Sequence, residues 1–432
     1  MMEDKIMGKL KLGFIGYGQR GVGLLGVTLN MDDVDVVAVC DEYEDRAEAA
    51  KKKVEEKREY TPFSTTDYRE ILKREDVEAV VIATSWEAHV EVAIAAMKAG
   101  KYVGVEVGGA YSIEDCWRLV HTSEETGMPC MMLENCCYGK KELMCLNMVK
   151  NGDFGELVHC NGAYHHDLRN EVSSGNEIRH YRLRNYTHRN CDNYPTHALG
   201  PIAKLLNINR GNRFLSLVSM SSKARGLHEY IVNKRGKEDD LAKIDFKQGD
   251  VVTTVIKCAG GETIRLTLSI TLPRAYSRDF DISGTKAYYQ EETNSLYLDR
   301  DEATYEKEYG EVVAKSLWNN VETTYGKEFN HPIWKKYEEE GIKGGHGGMD
   351  WLVLRAFYES AMAKADPPID VYDTAAWMSI STLTEDSLAM GGIPVAVPDF
   401  TNGKWIKNKD RKRNEIPTYS LAEIPETVEL KG

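Results

Sequence analysis

Residues 9–21 read Lys-Leu-Lys-Leu-Gly-Phe-Ile-Gly-Tyr-Gly-Gln-Arg-Gly, a short apolar strand that runs directly into a GxGxxG turn. In such a turn Gly16 adopts backbone angles that other residues avoid, Gly18 lets a pyrophosphate approach the main chain, and Gly21 lets the next helix pack closely on the strand. The phosphates then meet free N–H groups and the positive end of a helix dipole. The stretch therefore predicts a dinucleotide-binding turn. The residues between its glycines, also expected beside the cofactor, are Tyr17, Gln19 and Arg20.

The residues after the turn favour this prediction over an ordinary glycine-rich surface turn. An apolar run typical of a helix comes next, and a second strand, Val34 to Val39, ends just before Asp41. That acidic side chain lies at the offset where a dinucleotide site needs a partner for the ribose hydroxyls. Because a carboxylate there would repel a 2′-phosphate, the sequence favours NAD over NADP.

Strands and helices alternate up to about residue 138, which predicts a doubly wound parallel sheet of the Rossmann type. Cofactors bind at the carboxyl ends of such strands, so Thr84, Trp86 and Glu106 are expected close to the nucleotide. Trp86 is equally well explained as a packing aromatic at a helix start. The expected strands are Leu10 to Ile15, Val34 to Val39, Ala79 to Ala83, Tyr102 to Val107 and Pro129 to Leu133, and the expected helices are Asp67 to Arg74, Glu87 to Ala99 and Ile113 to Thr126.

Beyond Gly139 the pattern changes to a largely antiparallel open sheet with flanking helices. We therefore predict an α/β fold of two domains, an NAD-binding Rossmann domain over residues 1–138 and an α+β substrate-binding and catalytic domain over residues 139–432. A charge-rich segment from Asp299 to Gly341 is expected to be a solvated excursion, and the tail to Gly432 is polar. The expected elements here are a helix from Lys141 to Lys150, a strand from Glu156 to Asp167, a hairpin of Val251 to Cys258 and Thr263 to Ile270, a strand from Phe280 to Tyr289, and helices after Met349 and from Asp370 to Met390.

Two Tyr and His pairs stand out in the second domain. Alternation along the strand puts Tyr164 and His166 on one face. Tyr194 and His197 are three residues apart and share a face if a helix starts at the proline between them, although Gly200-Pro201 could interrupt that helix. A helix dipole would disfavour imidazolium at His197 and keep it a proton acceptor near neutral pH. Without further context, a strand His and a helix-start His are more often structural.

The composition indicates a globular protein without a nucleic-acid or membrane partner. The net charge of −13, with no offsetting basic block, argues against nucleic acid and anionic membranes. Nine cysteines, without a CxxC pair, fit reduced thiols in a cytoplasm. Metal-type spacing of Cys and His is not present, so we expect no metal. Met1 to Lys9 lacks the apolar core of a signal peptide, and no stretch approaches the length needed to span a bilayer.

Three motifs follow one another in the first domain: the GxGxxG strand, Ala-Thr-x-x-x-x-His at residues 83–89, and Gly100-Lys101 before a strand that ends in Glu106. Together they resemble the Gfo/Idh/MocA superfamily of NAD(P)-dependent sugar oxidoreductases. Members commonly carry Glu-Lys-Pro at the last point, with the lysine near the substrate. This chain has Val107 in place of that lysine.

Further stretches in both domains point to a narrower group: Thr84 to His89, Glu106-Val107, Met132 to Gly139, Tyr164 to Arg169, Tyr194 to His197, Pro273 to Arg278 and His346 to Asp350. They resemble glycoside hydrolase family 109, the NAD-dependent α-N-acetylgalactosaminidases. The Tat-type export signal that many members carry is missing, and residues 170–192 and those after Arg300 match less well.

The resemblance implies a glycosidase that keeps NAD⁺ bound and regenerates it in each turnover. The C3 hydroxyl of an N-acetylgalactosaminide or related glycoside is oxidised, the C2 proton is removed, the C1 group is eliminated, water adds, and the hydride returns. On this resemblance Tyr164 is the C2 base, helped by His166, while Tyr194 and His197 serve the C3 hydroxyl. The cofactor-binding residues that we expect are Gly16, Tyr17, Gly18, Gln19, Arg20, Gly21, Asp41, Thr84, Trp86, His89, Glu106, Asn135 and Tyr276, although a turn explains Tyr276 nearly as well.

Two other functions stay open at this point. An NAD-dependent sugar dehydrogenase of the same superfamily would release NADH, and Val107 counts against it because such an enzyme is expected to keep the lysine. A non-catalytic NAD-binding sensor would not need the Tyr and His pairs. The expected partner is a small glycoside or oligosaccharide, and analogy with the superfamily predicts a homo-oligomer.

Overall fold

The structure is a computed structural model that describes residues 9–301 and 318–407. Three stretches lie outside the described residues: the residues before Lys9, where no signal peptide is expected, the middle of the charged segment, and the polar tail after residue 407.

The N-terminal half forms the predicted parallel sheet. Its six strands lie in the order β3-β2-β1-β4-β5-β6, and all neighbours run parallel. This is the strand order of a dinucleotide-binding fold, with its crevice where the order reverses between β1 and β4. The elements are β1 Leu10–Ile15, α1 Gln19–Thr28, β2 Val34–Cys40, α2 Glu44–Lys57, β3 Phe63–Thr65, α3 Tyr68–Leu72, β4 Ala79–Ile82, α4 Trp86–Lys98, β5 Tyr102–Val105, α5 Ile113–Thr126 and β6 Cys130–Met132.

The second sheet has eight strands in the order β13-β12-β11-β7-β10-β9-β8-β14. Its pairings are antiparallel except that of β7 with β10, which is parallel. The strands are β7 Leu157–His165, β8 Phe214–Ser221, β9 Val252–Cys258, β10 Thr263–Ser269, β11 Asp281–Gly284, β12 Ala287–Gln290, β13 Ser295–Leu298 and β14 Val395–Ala396. The α-helices that accompany them are α6 Lys140–Asn151, α7 Arg169–Ser173, α8 Arg182–His188, α9 Thr196–Leu205, α10 Gly226–Arg235, α11 Gly326–Phe329, α12 Pro332–Glu340, α13 Met349–Met362, α14 Val371–Ala389 and α15 Lys404–Lys407.

The predicted fold class is confirmed, and two local expectations are corrected. The single strand expected from Phe280 to Tyr289 is a hairpin of β11 and β12, because the chain turns between Gly284 and Ala287. The suspected break at Gly200-Pro201 does not occur, since α9 continues through Pro201. Pro201 lies in the sixth position of the helix, and the turns around it are buried against neighbouring elements that hold the helix together.

Two late helices return to the Rossmann sheet. Tyr358 of α13 hydrogen-bonds Thr28 of α1 across 2.7 Å, and Thr374 of α14 accepts from the backbone N–H of Met132 in β6. Both contacts are buried, so α13 packs against helix α1 and α14 packs against the parallel sheet. Within the described residues, no helix combines the length and the apolar character needed to cross a membrane.

Candidate active site

A cavity of about 1360 Å³ runs along the carboxyl ends of the parallel strands and into the second domain. Its walls come from the glycine turn, from the ends of β2, β4 and β5, and from residues on β7, α8 and α9. This size is sufficient for a dinucleotide and a sugar together.

The glycine turn has the form that a bound pyrophosphate requires. Gly16 has a φ of 101°, and a Cβ there would lie 2.4 Å from the carbonyl oxygen of Ala83. A Cβ on Gly18 would meet nothing closer than the guanidinium of Arg46 at 3.7 Å. The protein interior therefore does not explain why Gly18 is a glycine, whereas the approach of a ligand does. Helix α1 begins at the next residue with no side chain capping it, which leaves its N–H groups directed toward the cavity.

Asp41 lies next to this turn. Its carboxylate accepts hydrogen bonds from the backbone N–H groups of Tyr17 at 2.6 Å and Tyr43 at 3.0 Å. These bonds hold a negative group at the end of β2, where it lines the cavity. The glycine turn, the uncapped helix and this carboxylate together fit NAD.

Arg20, the second residue of α1, is tied to both domains. Its guanidinium donates to Asp350 through Nη1 at 2.8 Å and Nη2 at 2.9 Å, and to Glu106 through Nε at 2.9 Å. Asn135 also donates to Asp350, at 2.8 Å. Burial would raise the pKa of the Asp350 carboxyl, but the bonds from His346 and Arg20 hold this pKa well below its usual range. The start of α1 is thus fixed by a charged carboxylate from α13.

Tyr164 and His166 share one face of β7 and its extension, as expected. The Tyr164 hydroxyl lies 3.1 Å from Nδ1 of His166. Burial lowers the pKa of His166, and the positive charge of Arg182 lowers this pKa further. His166 is therefore neutral near pH 7 and can accept a proton from the phenol through Nδ1.

Tyr194 and His197 face this pair across the cavity. The rings of Tyr164 and Tyr194 are 4.5 Å apart, and the Tyr194 hydroxyl lies 3.3 Å from Nε2 of His197. Nδ1 of His197 lies 2.7 Å from the carboxylate of Glu134, which is fully buried. The two Tyr and His pairs thus meet at one point of the cavity.

The expectation that His197 stays neutral is wrong. Burial lowers the pKa of His197, but charge interactions with Cys136 and Glu134 and their hydrogen bonds outweigh burial and raise this pKa well above its usual value. The helix dipole that motivated the expectation is a weaker influence than a buried carboxylate in direct contact. His197 is a strong base held in one orientation.

Arg182 supplies the positive charge of the site. Its guanidinium is buried, forms a short ion pair with Glu171, and lies over the rings of Trp86 at 5.3 Å and Tyr194 at 5.2 Å. It also lines the cavity beside both tyrosines. A cation in this place can stabilise a phenolate or an oxyanion that forms on a substrate.

The structure places most of the predicted site residues on the cavity wall. Those lining it are Gly16, Gly18, Gln19, Arg20, Asp41, Thr84, His89, Glu106, Asn135, Tyr164, His166, Tyr194 and His197. Tyr17 and Gly21 pack behind the glycine turn, and Trp86 is buried behind Tyr194 with ring centroids 5.7 Å apart. The ring of Tyr276 lies edge-on to His166 at 5.2 Å, at the rim of the site.

Three residues of the site were not singled out from the sequence. Arg182 lies in a basic and irregular stretch with no recognisable spacing. Glu134 and His346 each belong to a longer motif of the family resemblance. Glu134 also follows β6 at the carboxyl edge of the sheet, where polar residues commonly line a cofactor crevice, and this position is the signal that could have identified it. Among the described residues, one group offers metal-type ligand atoms within 4.8 Å of one another: Glu134, Cys136 and His197.

Comparison with known proteins identifies the family. The family model described as "Glycosyl hydrolase 109, C-terminal domain" matches residues 138–407, and the NAD-binding Rossmann model of the Gfo/Idh/MocA oxidoreductases matches residues 10–134. The chain belongs to glycoside hydrolase family 109. It is an NAD-dependent glycoside hydrolase, as the resemblance in the sequence implied.

Curated relatives of this family 109 enzyme cover nearly its whole length. It is 40% identical to the "Alpha-N-acetylgalactosaminidase" of Tannerella forsythia, over 92% of this chain and 88% of the relative. It is 37% identical to the "Alpha-N-acetylgalactosaminidase" of Shewanella oneidensis, over 92% of this chain and 86% of the relative.

Solved structures share the fold of the family 109 enzyme at low identity. A levoglucosan dehydrogenase in complex with NADH matches with a TM-score of 0.65 and 18% identity, over 90% of this chain and 100% of that one. The myo-inositol 2-dehydrogenase of Lactobacillus plantarum matches with a TM-score of 0.63 and 16% identity, over the same shares. These two similarities show the fold alone.

Proposed function

We propose that this enzyme hydrolyses α-N-acetylgalactosaminides or closely related glycosides by transient oxidation at C3 and elimination across C1 and C2. The observation that carries the proposal is the meeting of two Tyr and His pairs at one point beside the dinucleotide crevice. Two proton transfers, at O3 and at C2, are what an oxidation and elimination sequence demands. The names of the two relatives support the choice of sugar.

NAD fits the crevice through the glycine turn, the start of α1 and Asp41, and when bound it accepts a hydride from C3 of the sugar and returns it. Oxidation at C3 makes the C2 proton acidic, so a side-chain base can remove it. An ordinary glycosidase instead needs two carboxyl groups beside the anomeric carbon. In this mechanism the protein supplies bases and an oxyanion partner in place of such a pair.

His197 and Tyr194 are assigned to the C3 hydroxyl. Glu134 holds Nδ1 of His197, which directs Nε2 toward the Tyr194 hydroxyl and the cavity. Nε2 of the neutral imidazole, which forms as the pH rises through the raised pKa of His197, can take the O3 proton directly or through the phenol. The buried carboxylate stabilises the imidazolium that results, as the carboxylate does in a Ser-His-Asp triad.

Tyr164 and His166 are assigned to the C2 proton. A phenol becomes a competent base when its own proton is taken, and Nδ1 of His166 lies 3.1 Å away to take it. Arg182 lowers the cost of the phenolate and of the enolate oxygen on the sugar, because its guanidinium is buried over the ring of Tyr194, which lies 4.5 Å from the ring of Tyr164. The phenol exchanges its proton with solvent and then returns a proton to C2 when water adds at C1.

The test is a turnover experiment in deuterated water without added cofactor. The purified protein is incubated with a panel of α- and β-nitrophenyl glycosides that includes the N-acetylgalactosaminide, and the released sugar is examined by mass and NMR. We expect release of N-acetylgalactosamine that carries deuterium at C2, with no net NADH.

Two results would contradict the proposal. Released sugar without deuterium at C2 would show direct displacement. Failure to release sugar, together with NADH formed from NAD⁺ and free sugars, would indicate the sugar dehydrogenase instead. Tyr164→Phe serves as the matched variant, since it should lose both sugar release and deuterium incorporation.

The compartment that we propose is the cytoplasm. All nine cysteines are free and buried, including the adjacent Cys136 and Cys137, which fits a reducing environment. The substrates would then be small imported glycosides or glycan fragments. Fractionation of the source cells tests this, and recovery of the protein outside the cytoplasm would contradict it.

The assembly that we propose is a homo-oligomer formed through the open face of the eight-stranded sheet. Met220 on β8 and Val255 on β9 are exposed, at 62% and 41%, on neighbouring strands of this sheet. A second copy would cover these apolar side chains. Light scattering after gel filtration should give at least a dimer, and Val255→Asp should shift it toward monomer. A monomeric wild-type chain would refute the assembly.

A further inference from the structure

The segment from Gly341 to Gly348 leaves α12, bends over helix α1 and returns to α13. One side chain contacts both the beginning and the end of this segment. The Tyr337 hydroxyl accepts from the backbone N–H of Lys343 at 2.8 Å and contacts the carbonyl oxygen of Gly348 at 3.4 Å. A Cβ on Gly344 would lie 3.3 Å from Val27 of α1. The segment thus packs against helix α1.

His346 stands at the tip of this segment. Its backbone has a φ of 50°, and Gly347 and Gly348 beside it also have positive φ. Such backbone angles are uncommon for a residue with a side chain and are often found where function requires them. The imidazole is 60% exposed and lines the cavity next to the glycine turn.

One nitrogen of this imidazole is hydrogen-bonded within the protein, and none of the described residues bonds the other. Nδ1 lies 2.7 Å from the carboxylate of Asp350 and 3.3 Å from Nη1 of Arg20. Asp350 is buried and already paired with Arg20 and Asn135, so it is a rigid support. A carboxylate that accepts from Nδ1 fixes the ring and leaves Nε2 to meet a ligand.

We propose that His346 binds NAD through Nε2 and so retains the cofactor between turnovers. Nδ1 of the ring lies 3.3 Å from the guanidinium of Arg20, the second residue of α1, and His346 lines the same cavity as the glycine turn at the start of this helix. The groups that it would recognise are therefore the diphosphate or ribose oxygens. This inference rests on the proposed function, because only an enzyme that returns the hydride in each turnover needs to keep NAD bound.

The test compares His346→Asn with His346→Gln. The Asn amide occupies the place of Nδ1 and can keep the bond to Asp350, whereas the Gln amide reaches the place of Nε2. We expect the Asn variant to release NAD about tenfold faster or more, the effect of losing one hydrogen bond to a charged group, and the Gln variant to stay closer to wild type. The readouts are NAD content after gel filtration and the rate of exchange with isotopically labelled NAD⁺.

Several results would overturn the inference. A merely structural role predicts the opposite order, with Asn closer to wild type than Gln, and retention equal to wild type in both variants also refutes it. Thermal unfolding of the two variants without NAD shows whether a substitution at the positive φ of position 346 destabilises the fold. Faster NAD release can then be distinguished from a loss of stability. Wild-type protein that exchanges NAD rapidly would overturn the inference as well, and the deuterium experiment then decides independently whether the proposed function survives.

Discussion

Nδ1 of His197 donates a hydrogen bond of 2.7 Å to the carboxylate of Glu134, which is buried beneath the active site. Neither residue is close to the other in the chain, since Glu134 follows the last parallel strand and His197 lies in the first turn of α9. The pair therefore joins the NAD-binding sheet to the helix that carries one of the two proposed proton acceptors.

Glu134→Gln should move the pH dependence of kcat/KM to lower pH. Only neutral His197 can accept a proton, so activity rises as the pH increases through the pKa of His197. Because the carboxylate raises this pKa, its removal lowers the pKa and shifts the acidic limb downward. The maximum rate should fall, since the imidazole becomes a weaker base. The measurement is kcat/KM across the pH range with a nitrophenyl glycoside.

The control for this substitution is Glu142→Gln. Glu142 is another buried glutamate and pairs with Arg278 on the side of α6. Loss of one partner of a buried pair costs about 3 kcal/mol of stability in either variant. An acidic limb that moves equally in both variants would assign the shift to destabilisation and not to His197.

Tyr164→Phe should stop the reaction after oxidation at C3. The phenol is needed for the C2 proton and not for the C3 hydroxyl, so substrate should reduce the bound cofactor in the first turnover and sugar release should fall by about a hundredfold or more. Stopped-flow absorbance of reduced nicotinamide measures the first effect and released nitrophenol the second. Tyr181→Phe, on the same cavity wall, tests whether loss of any phenol has this result. A variant that neither reduces the cofactor nor releases sugar would reassign Tyr164 to the C3 step.

Arg182→Gln should lower kcat about a hundredfold, the effect of removing one preorganised group that stabilises an oxyanion. KM should change less, because the developing negative charge exists in the transition state and not in the bound glycoside. Arg182→Lys should recover part of the rate, since it restores the charge without the planar guanidinium. The control is Arg169→Gln, whose arginine pairs with Asp167 beside the site. A rise in KM alone would assign Arg182 to substrate binding.

The first domain was readable from the sequence because its signals are local. The GxGxxG turn, the buried strands and Asp41 follow from residues close together in the chain, and the predicted β1 agrees with the structure at both ends. The short edge strand β3 and the charged helix α2 were missed, since three half-exposed residues and a strongly polar helix carry little periodic signal. The paired tyrosines and histidines were found from face periodicity together with the family resemblance.

The site chemistry was less predictable because it depends on pairs that are distant in the chain. The pKa of His197 is raised by Cys136 and by Glu134, and Glu134 lies 63 residues earlier in the chain. The position of Arg20 is decided by Asp350, 330 residues later. A single sequence contains no spacing that reveals such contacts, so the dipole argument for His197 considered only its own helix.

Two substitutions in the glycine turn should separate stability from cofactor binding. A Cβ on Gly21 would lie 2.2 Å from the carbonyl oxygen of Gly16, so Gly21→Ala must displace backbone and should cost about 2 kcal/mol or more of unfolding free energy. Gly18 has a φ of −72°, which alanine adopts freely, and open space where the Cβ would be. Gly18→Ala should therefore leave the stability of NAD-free protein unchanged within about 0.5 kcal/mol, yet weaken NAD binding, because the methyl group occupies the approach of the pyrophosphate. Denaturant unfolding of the stripped proteins and titration with NAD⁺ measure the two effects. Wild-type affinity in Gly18→Ala would show that the pyrophosphate does not cross this turn.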